Sequence, residues 1–275
     1  MSSPAPHPMS GMDAFAPSEI ASMVRTRGVA KMRAGAVPTF VLGVVAGAFI
    51  ALGGVLATTV TTGSTLGFGP TRWLAGAAFS LGLVLVIVGG AELFTGNNLV
   101  AMAVASRQAT IGQLLRNWGL VYLGNLVGAV SVAVMVTLAE WWALDEGRVG
   151  DAATGIAISK SELSFGVVFW RGVLANALVC MAVWLATGGR SVVDKVFAIV
   201  PAIAAFVAMA FEHSVANMYF LSAGALIAWE TGTGGPSVAG SVNNLIASTL
   251  GNVVGGTLLV GLVYWFVYLR PEPHA

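Results

Sequence analysis

From Val37 to Val60 the chain carries no charged side chain, and runs of the same kind return along most of its length. A helix of about 20 apolar residues crosses the ~30 Å hydrocarbon core of a bilayer. Charged residues make up only 9% of the sequence and hydrophobic ones 57%, whereas a soluble domain averages about 25% charged. Too few charges remain to cover a water-facing surface, so the chain reads as an all-α polytopic membrane protein whose solvent is the lipid bilayer. Six spans are expected, at about 37–60, 73–104, 117–138, 165–186, 197–227 and 243–268. Together they form one domain over 37–269. A disordered tail (1–16) and an amphipathic helix on the membrane face (17–36) precede it, and a short tail (270–275) follows. The amphipathic reading rests on Ile20, Met23, Val24 and Val29 alternating with Arg25, Arg27, Lys31 and Arg33, and a plain juxtamembrane helix fits the same pattern equally. Residues 1–36 hold no apolar core, so no cleaved signal peptide is expected.

Two spans are interrupted. The fifth carries Phe211-Glu212-His213-Ser214-Val215-Ala216-Asn217 in the middle of an apolar run. Ionisable groups at that depth are costly and usually face a bundle interior or a wet cavity, which makes His213 a candidate pathway residue. The second is broken by Gly89-Gly90-Ala91-Glu92-Leu93-Phe94-Thr95-Gly96-Asn97-Asn98. Irregular backbone at membrane depth is tolerated only inside protein or beside water, so this span is expected as a helix, a buried loop and a half-helix.

The two halves echo each other. Gly124-Asn125-x-Val127-Gly128 returns as Gly251-Asn252-x-Val254-Gly255, and Glu92 with Asn97 returns as Glu212 with Asn217. With three spans in each half, the second must be inverted relative to the first. Paired interruptions in inverted halves point to a substrate site at the midplane. Six spans put both termini on one side. Nine basic residues (25, 27, 31, 33, 107, 116, 190, 195 and 270) fall there, against four (72, 148, 160 and 171) opposite, which predicts cytoplasmic termini.

Other classes find little support. Cys180 is the single cysteine, which excludes an intrachain disulfide and a cysteine-based zinc site. No phosphate loop, haem motif or metal cluster is legible, so neither cofactor nor metal is expected. Ser80, Ser131 and Ser214 lack the Gly-x-Ser-x-Gly setting of a serine hydrolase, and no enzyme is expected. The net charge of +1 gives no sign of a nucleic-acid partner. An aquaporin-like channel for neutral solutes would call for paired Asn-Pro-Ala turns, which the sequence does not have.

Gly90-Ala91-Glu92-Leu93-Phe94-Thr95-Gly96, Tyr122-Leu123-Gly124-Asn125-Leu126-Val127-Gly128 and Phe211-Glu212-His213-Ser214-Val215-Ala216-Asn217-Met218 resemble the signature segments of the formate/nitrite transporter family. Leu174 to Cys180 and Gly189 to Lys195 resemble its formate-channel branch. The resemblance covers about residues 20 to 270. It implies an aquaporin-like fold of six helices in the inner (plasma) membrane, with an inverted 3+3 repeat. It also implies a homopentamer with one pore per protomer, and small monovalent anions as substrates: formate first, nitrite or hydrosulfide as alternatives. By this resemblance His213 matches the central pore histidine and Thr95 its loop hydrogen-bond partner. Lys160 and Asn176 match groups near the pore centre, and Phe79, Leu83, Phe94, Val179 and Phe206 match constricting positions. On sequence alone Lys160 reads equally as a solvated loop charge, Asn176 as a helix–helix hydrogen bond, and each phenylalanine as core.

The chemistry suits an anion pathway. A dehydrated anion in an apolar constriction costs several kcal/mol or more. Half-helix N-termini after Thr95 and His213 offer free N–H groups and a positive dipole end. Protonating the anion is the other way to lower that cost, and His213 is the one group within a span whose ordinary pKa lies near neutrality. Glu92 and Glu212 are expected to cap loop or half-helix N–H groups.

Overall fold

Pro17 opens the first helix, α1 (Pro17–Arg33), at a position where a missing N–H costs nothing. The Glu19 carboxylate accepts the Ala16 N–H at 2.7 Å. The computed structural model describes residues 13–270. The chain continues through α2 (Ala36–Thr61), α3 (Phe68–Gly89), a 3₁₀ turn (Gly96–Val100), α4 (Ala101–Ala105) and α5 (Ile111–Leu138). A second 3₁₀ turn (Trp141–Ala143) leads to α6 (Arg148–Ser161), α7 (Phe165–Gly188), α8 (Val192–Ala208) and α9 (Ser214–Thr231). The last helical body is α10 (Val238–Val253), a π-helical stretch (Val254–Leu262) and α11 (Val263–Tyr268). No strand occurs among the described residues.

Five helices are long and apolar enough to cross a membrane: Ala36–Thr61, Phe68–Gly89, Ile111–Leu138, Phe165–Gly188 and Val238–Tyr268. Their outward residues are large and apolar, with Phe68, Leu138 and Val238 about four-fifths exposed (83%, 79% and 81%). Apolar cover on this scale is what lipid or a second subunit faces, not water.

Both expected interruptions are present as breaks in helix. α3 ends on Gly90, whose left-handed φ of 80° a residue with a Cβ rarely adopts, and the chain is irregular until the 3₁₀ turn at Gly96. α8 ends before Ala210, a non-glycine residue at φ 57°, and helix resumes at Ser214. Holding a Cβ-bearing residue in that region costs about 1–3 kcal/mol and persists only where the surroundings over-determine it.

The glycine pairs pack within the chain. A methyl group on Gly128 would overlap the Val44 carbonyl of α2, and one on Gly255 would overlap the Val173 carbonyl of α7. Gly124 and Gly251 sit against the same two helices. Small residues there let α5 approach α2 and α10 approach α7 at backbone distance, so these faces are used inside the protomer.

The longest polar connection, Glu140 to Ser164, contains helix α6, which packs on α9. The expected disordered tail over 1–16 lies mostly outside the described residues. Asp13 to Ala16 are placed: Phe15 N–H donates to the Gly188 carbonyl at 3.0 Å, and the Arg190 guanidinium stacks on the Phe15 ring. α1 itself packs against α4, α5, α7 and the 3₁₀ turn after Thr95, with Ala21 and Met32 buried.

Candidate functional site

His213 ends the second break and starts α9 as its N-cap residue. Its Nδ1 accepts the Ala216 N–H at 3.0 Å, and its Nε2 lies 2.8 Å from Thr95 Oγ1. A nitrogen that accepts an N–H carries no proton, so this pattern assigns the ring proton to Nε2, which donates to the threonine. The two breaks, 118 residues apart in sequence, are thereby joined at their centres. Both residues are buried, Thr95 fully and His213 to within 3%.

Around this joint the two halves make the same contacts. Glu92 accepts from Lys31 Nζ at 3.1 Å and from Asn97 Nδ2 at 2.7 Å. Glu212 accepts from Lys160 Nζ at 2.9 Å and from Asn217 Nδ2 at 2.7 Å. Asn97 Nδ2 donates to Asn117 Oδ1, and Asn217 Nδ2 donates to Asn244 Oδ1. The other ends of these amides donate to backbone, Asn117 to the Lys31 carbonyl and Asn244 to the Lys160 carbonyl. Asn125 clamps the first break, donating to the Gly43 and Glu92 carbonyls and accepting the Phe94 N–H. Asn252 clamps the second with Gly172, Glu212 and the Ser214 N–H. The glutamates therefore hold a lysine and an amide, not the loop N–H groups expected of them. The reason is geometric: Asn125 and Asn252 already occupy the break backbone on the other side.

Two cavities flank the joint. The larger, about 550 Å³, is lined by Lys160, Glu212, His213 and Asn217 with Phe79, Phe206 and Phe220. The smaller, about 240 Å³, is lined by Lys31, Glu92 and Asn97 with Arg27, Lys195 and Gly96. Gly96 follows Thr95 directly, so the 2.8 Å Thr95–His213 bond links the walls of both cavities. Phe79 and Phe206 meet edge to face at 5.8 Å, and Phe206 lies 6.0 Å from the His213 ring. Four buried polar atoms close by, Asn98 Nδ2, Asn176 Oδ1, Ser214 Oγ and Asn217 Oδ1, have no partner among the described residues. Buried groups of this kind serve water or a solute far more often than they stay unpaired.

Of the residues expected at the site, His213, Lys160, Asn217, Phe79 and Phe206 line the larger cavity. Thr95 touches His213 from behind the wall. Asn176 lies one layer deeper, donating to the Thr95 and Asn252 carbonyls and to Asn98 Oδ1, and so ties both breaks together. Leu83, Phe94 and Val179 are buried and line neither cavity. Phe94 instead packs edge-on against Tyr122 and Trp118. Sequence reading did not single out Lys31, Asn98, Asn117, Asn244, Arg72 or Arg171. A signal for three of them was present: Lys31 precedes Gly43 by the same interval as Lys160 precedes Gly172, and Asn117 precedes Asn125 as Asn244 precedes Asn252.

Broken apolar helices that meet between two cation-lined cavities define a membrane protein of the channel or transporter class. The formate/nitrite transporter family model matches residues 18–266. The formate channel FocA of Escherichia coli (strain K12) is 39% identical over 95% of this chain and 97% of that protein. The nitrite transporter NirC of Salmonella typhimurium is 34% identical over 84% of this chain and 83% of that protein. Among solved structures, a pentameric formate channel with formate bound superposes with a TM-score of 0.77 at 37% identity, covering 86% of this chain and 98% of that one. An ion channel of the same family superposes with a TM-score of 0.81 at 29% identity, covering 91% and 99%. This chain belongs to the formate/nitrite transporter family.

Proposed function

We propose that the two cavities are the vestibules of one pathway for a small monovalent anion, formate first, and that the Thr95–His213 contact marks its narrowest part. The observation that carries this reading is the joint itself: a polar pair at the meeting point of two broken helices, with a lysine-bearing cavity on each side. Lys31 and Lys160 raise the local anion concentration in their cavities. The α9 N-terminus, beginning at Ser214, lends its dipole where water is scarcest. Phe79 and Phe206 then shed the hydration shell. The relatives named for formate support formate as substrate, and the relative named for nitrite makes nitrite the competing reading.

His213 is the group through which a proton could reach the anion. A proton on Nδ1 and the Ala216 N–H on that same nitrogen exclude one another. Charging the ring therefore costs the α9 cap, and coupling would proceed through a neutral Nε2–H shared with Thr95 or through transient loss of the cap.

The paired contacts about Asn125 and Asn252 support an inverted 3+3 repeat of six spans, the fifth made by α8 and α9 together. A repeat of this kind puts both termini on one side, and the basic-residue excess favours the cytoplasmic face of the inner membrane. The apolar exterior and the pentameric neighbour support a homopentamer. Uptake into proteoliposomes of labelled formate, with nitrite and hydrosulfide as competitors, tests the function. Saturable formate entry is expected, and absence of entry for all three anions would overturn it.

A further inference from the structure

The pathway described above makes no use of Arg171. Its side chain lines the Lys160 cavity, half-buried, and makes no hydrogen bond or ion pair among the described residues. The cations around it are committed elsewhere. Lys160 donates to both oxygens of Glu212, at 2.9 and 3.0 Å. The Arg72 guanidinium donates to the Val207 and Ala208 carbonyls, capping the end of α8. Glu212 is the single carboxylate on the described cavity wall, against Arg72, Lys160 and Arg171. The cavity thus carries an excess of positive charge and one guanidinium with all its donors free.

The internal repeat shows that the fold does not require an arginine there. The Glu212 N–H donates to the Arg171 carbonyl at 3.3 Å, as the Glu92 N–H donates to the Leu42 carbonyl at 3.1 Å. Arg171 and Leu42 are counterparts, so the same backbone contact is built with a leucine in the other half. The arginine is an addition to one vestibule only. A half-buried guanidinium with no protein partner is left to water or to a visiting anion, and its planar fork matches a two-oxygen anion.

We propose that Arg171 forms an anion-loading subsite in the Lys160 cavity, taking a planar monovalent oxyanion of the carboxylate or nitrite type before it reaches His213. The subsite rests on the reading of this cavity as a channel vestibule, and its test is kept separate from flux. A cysteine is placed at Ile156, elsewhere on the cavity wall, in a Cys180→Ala background. Its modification rates by anionic and by cationic methanethiosulfonate reagents are compared with Arg171, Arg171→Leu and Arg171→Lys. With Arg171, formate should slow labelling in a saturable manner. In Arg171→Leu the anionic-to-cationic rate ratio should fall about tenfold at low salt and formate protection should vanish. Arg171→Lys should keep the ratio and lose much of the protection. An unchanged ratio, or full formate protection in Arg171→Leu, would overturn the subsite. If Arg171→Leu fails to assemble, Arg171→Gln carries the same comparison. Formate flux through the parent protein is measured in the same vesicles; protection without flux would remove the channel reading and leave the subsite standing.

Discussion

At the scale of single residues, His213 performs two tasks that a substitution can separate. Asparagine at an N-cap still accepts a backbone N–H, so His213→Asn should preserve the start of α9 while removing the ring that meets Thr95. The expected outcome is a protein that assembles and passes formate down its gradient, but no longer accumulates it when an inward proton gradient is imposed on vesicles. Wild-type accumulation in that variant would remove His213 from proton coupling. The Lys160–Glu212 pair calls for a different test. Removing one partner of a buried ion pair leaves an uncompensated charge, at about 3–5 kcal/mol, with the Glu212 side chain only 4% exposed. Lys160→Met should therefore lower thermal stability in detergent, and Lys160→Met with Glu212→Gln should recover much of the loss. A double variant no better than the single one would mean that the pair is not energetically coupled.

At the scale of elements, the breaks are held open by two asparagines. Asn252 satisfies the Gly172 and Glu212 carbonyls and the Ser214 N–H, all buried. Asn252→Ala orphans these groups, and each buried polar group left unpaired costs about 1–3 kcal/mol. Asn125→Ala does the same at the other break. Both variants are expected to melt at lower temperature and to lose flux. Equal stability to the parent, read by thermal denaturation, would show that water replaces the amide. The helix contacts behind the breaks depend on glycine. Gly128→Ala and Gly255→Ala force a methyl into a facing carbonyl, and overpacking of this kind costs about 1–3 kcal/mol. Similar losses at the two positions would support the proposed repeat, because α5 meets α2 as α10 meets α7.

At the scale of the whole molecule, the protomer leaves large apolar side chains on its exterior, such as Leu123 and Leu250 on the helices that hold the glycine pairs and Leu174 on α7. Since Gly124, Gly128, Gly251 and Gly255 are used inside the protomer, association between copies must use these other faces. A pentamer is the expected species by native mass spectrometry in mild detergent, and a stable monomer or tetramer would contradict it. Gly128→Ala should weaken folding of the protomer without selectively dissociating the assembly, which separates intrachain from intersubunit packing.

What the sequence determined by itself follows from transfer energetics and spacing. Runs such as Val37–Val60 fix the membrane class, because nothing else can cover so little charge. The two interruptions fix where the helices break, and the matched Gly-Asn-x-Val-Gly segments carry the asparagines that make matching contacts, Asn125 and Asn252. His213 stood out because an imidazole in an apolar run is costly wherever it points. Other features belong to the tertiary structure. α1 brings Lys31 to Glu92, yet helical spacing alone places that lysine on a polar face with Arg27. α6 hides within a segment whose composition reads as loop, and its packing on α9 is what carries Lys160 to Glu212. Phe79 and Phe206 reach the cavity while Leu83, Phe94 and Val179 remain in the core: Leu83 shares the Phe79 face of α3 but lies one turn deeper, and Phe94 leaves the break to pack on Tyr122 and Trp118. Distances such as the 2.8 Å between Thr95 and His213 arise only when two breaks far apart in the chain are clamped by Asn125 and Asn252. An apolar pattern specifies burial without specifying a partner, and partners are chosen when the helices pack.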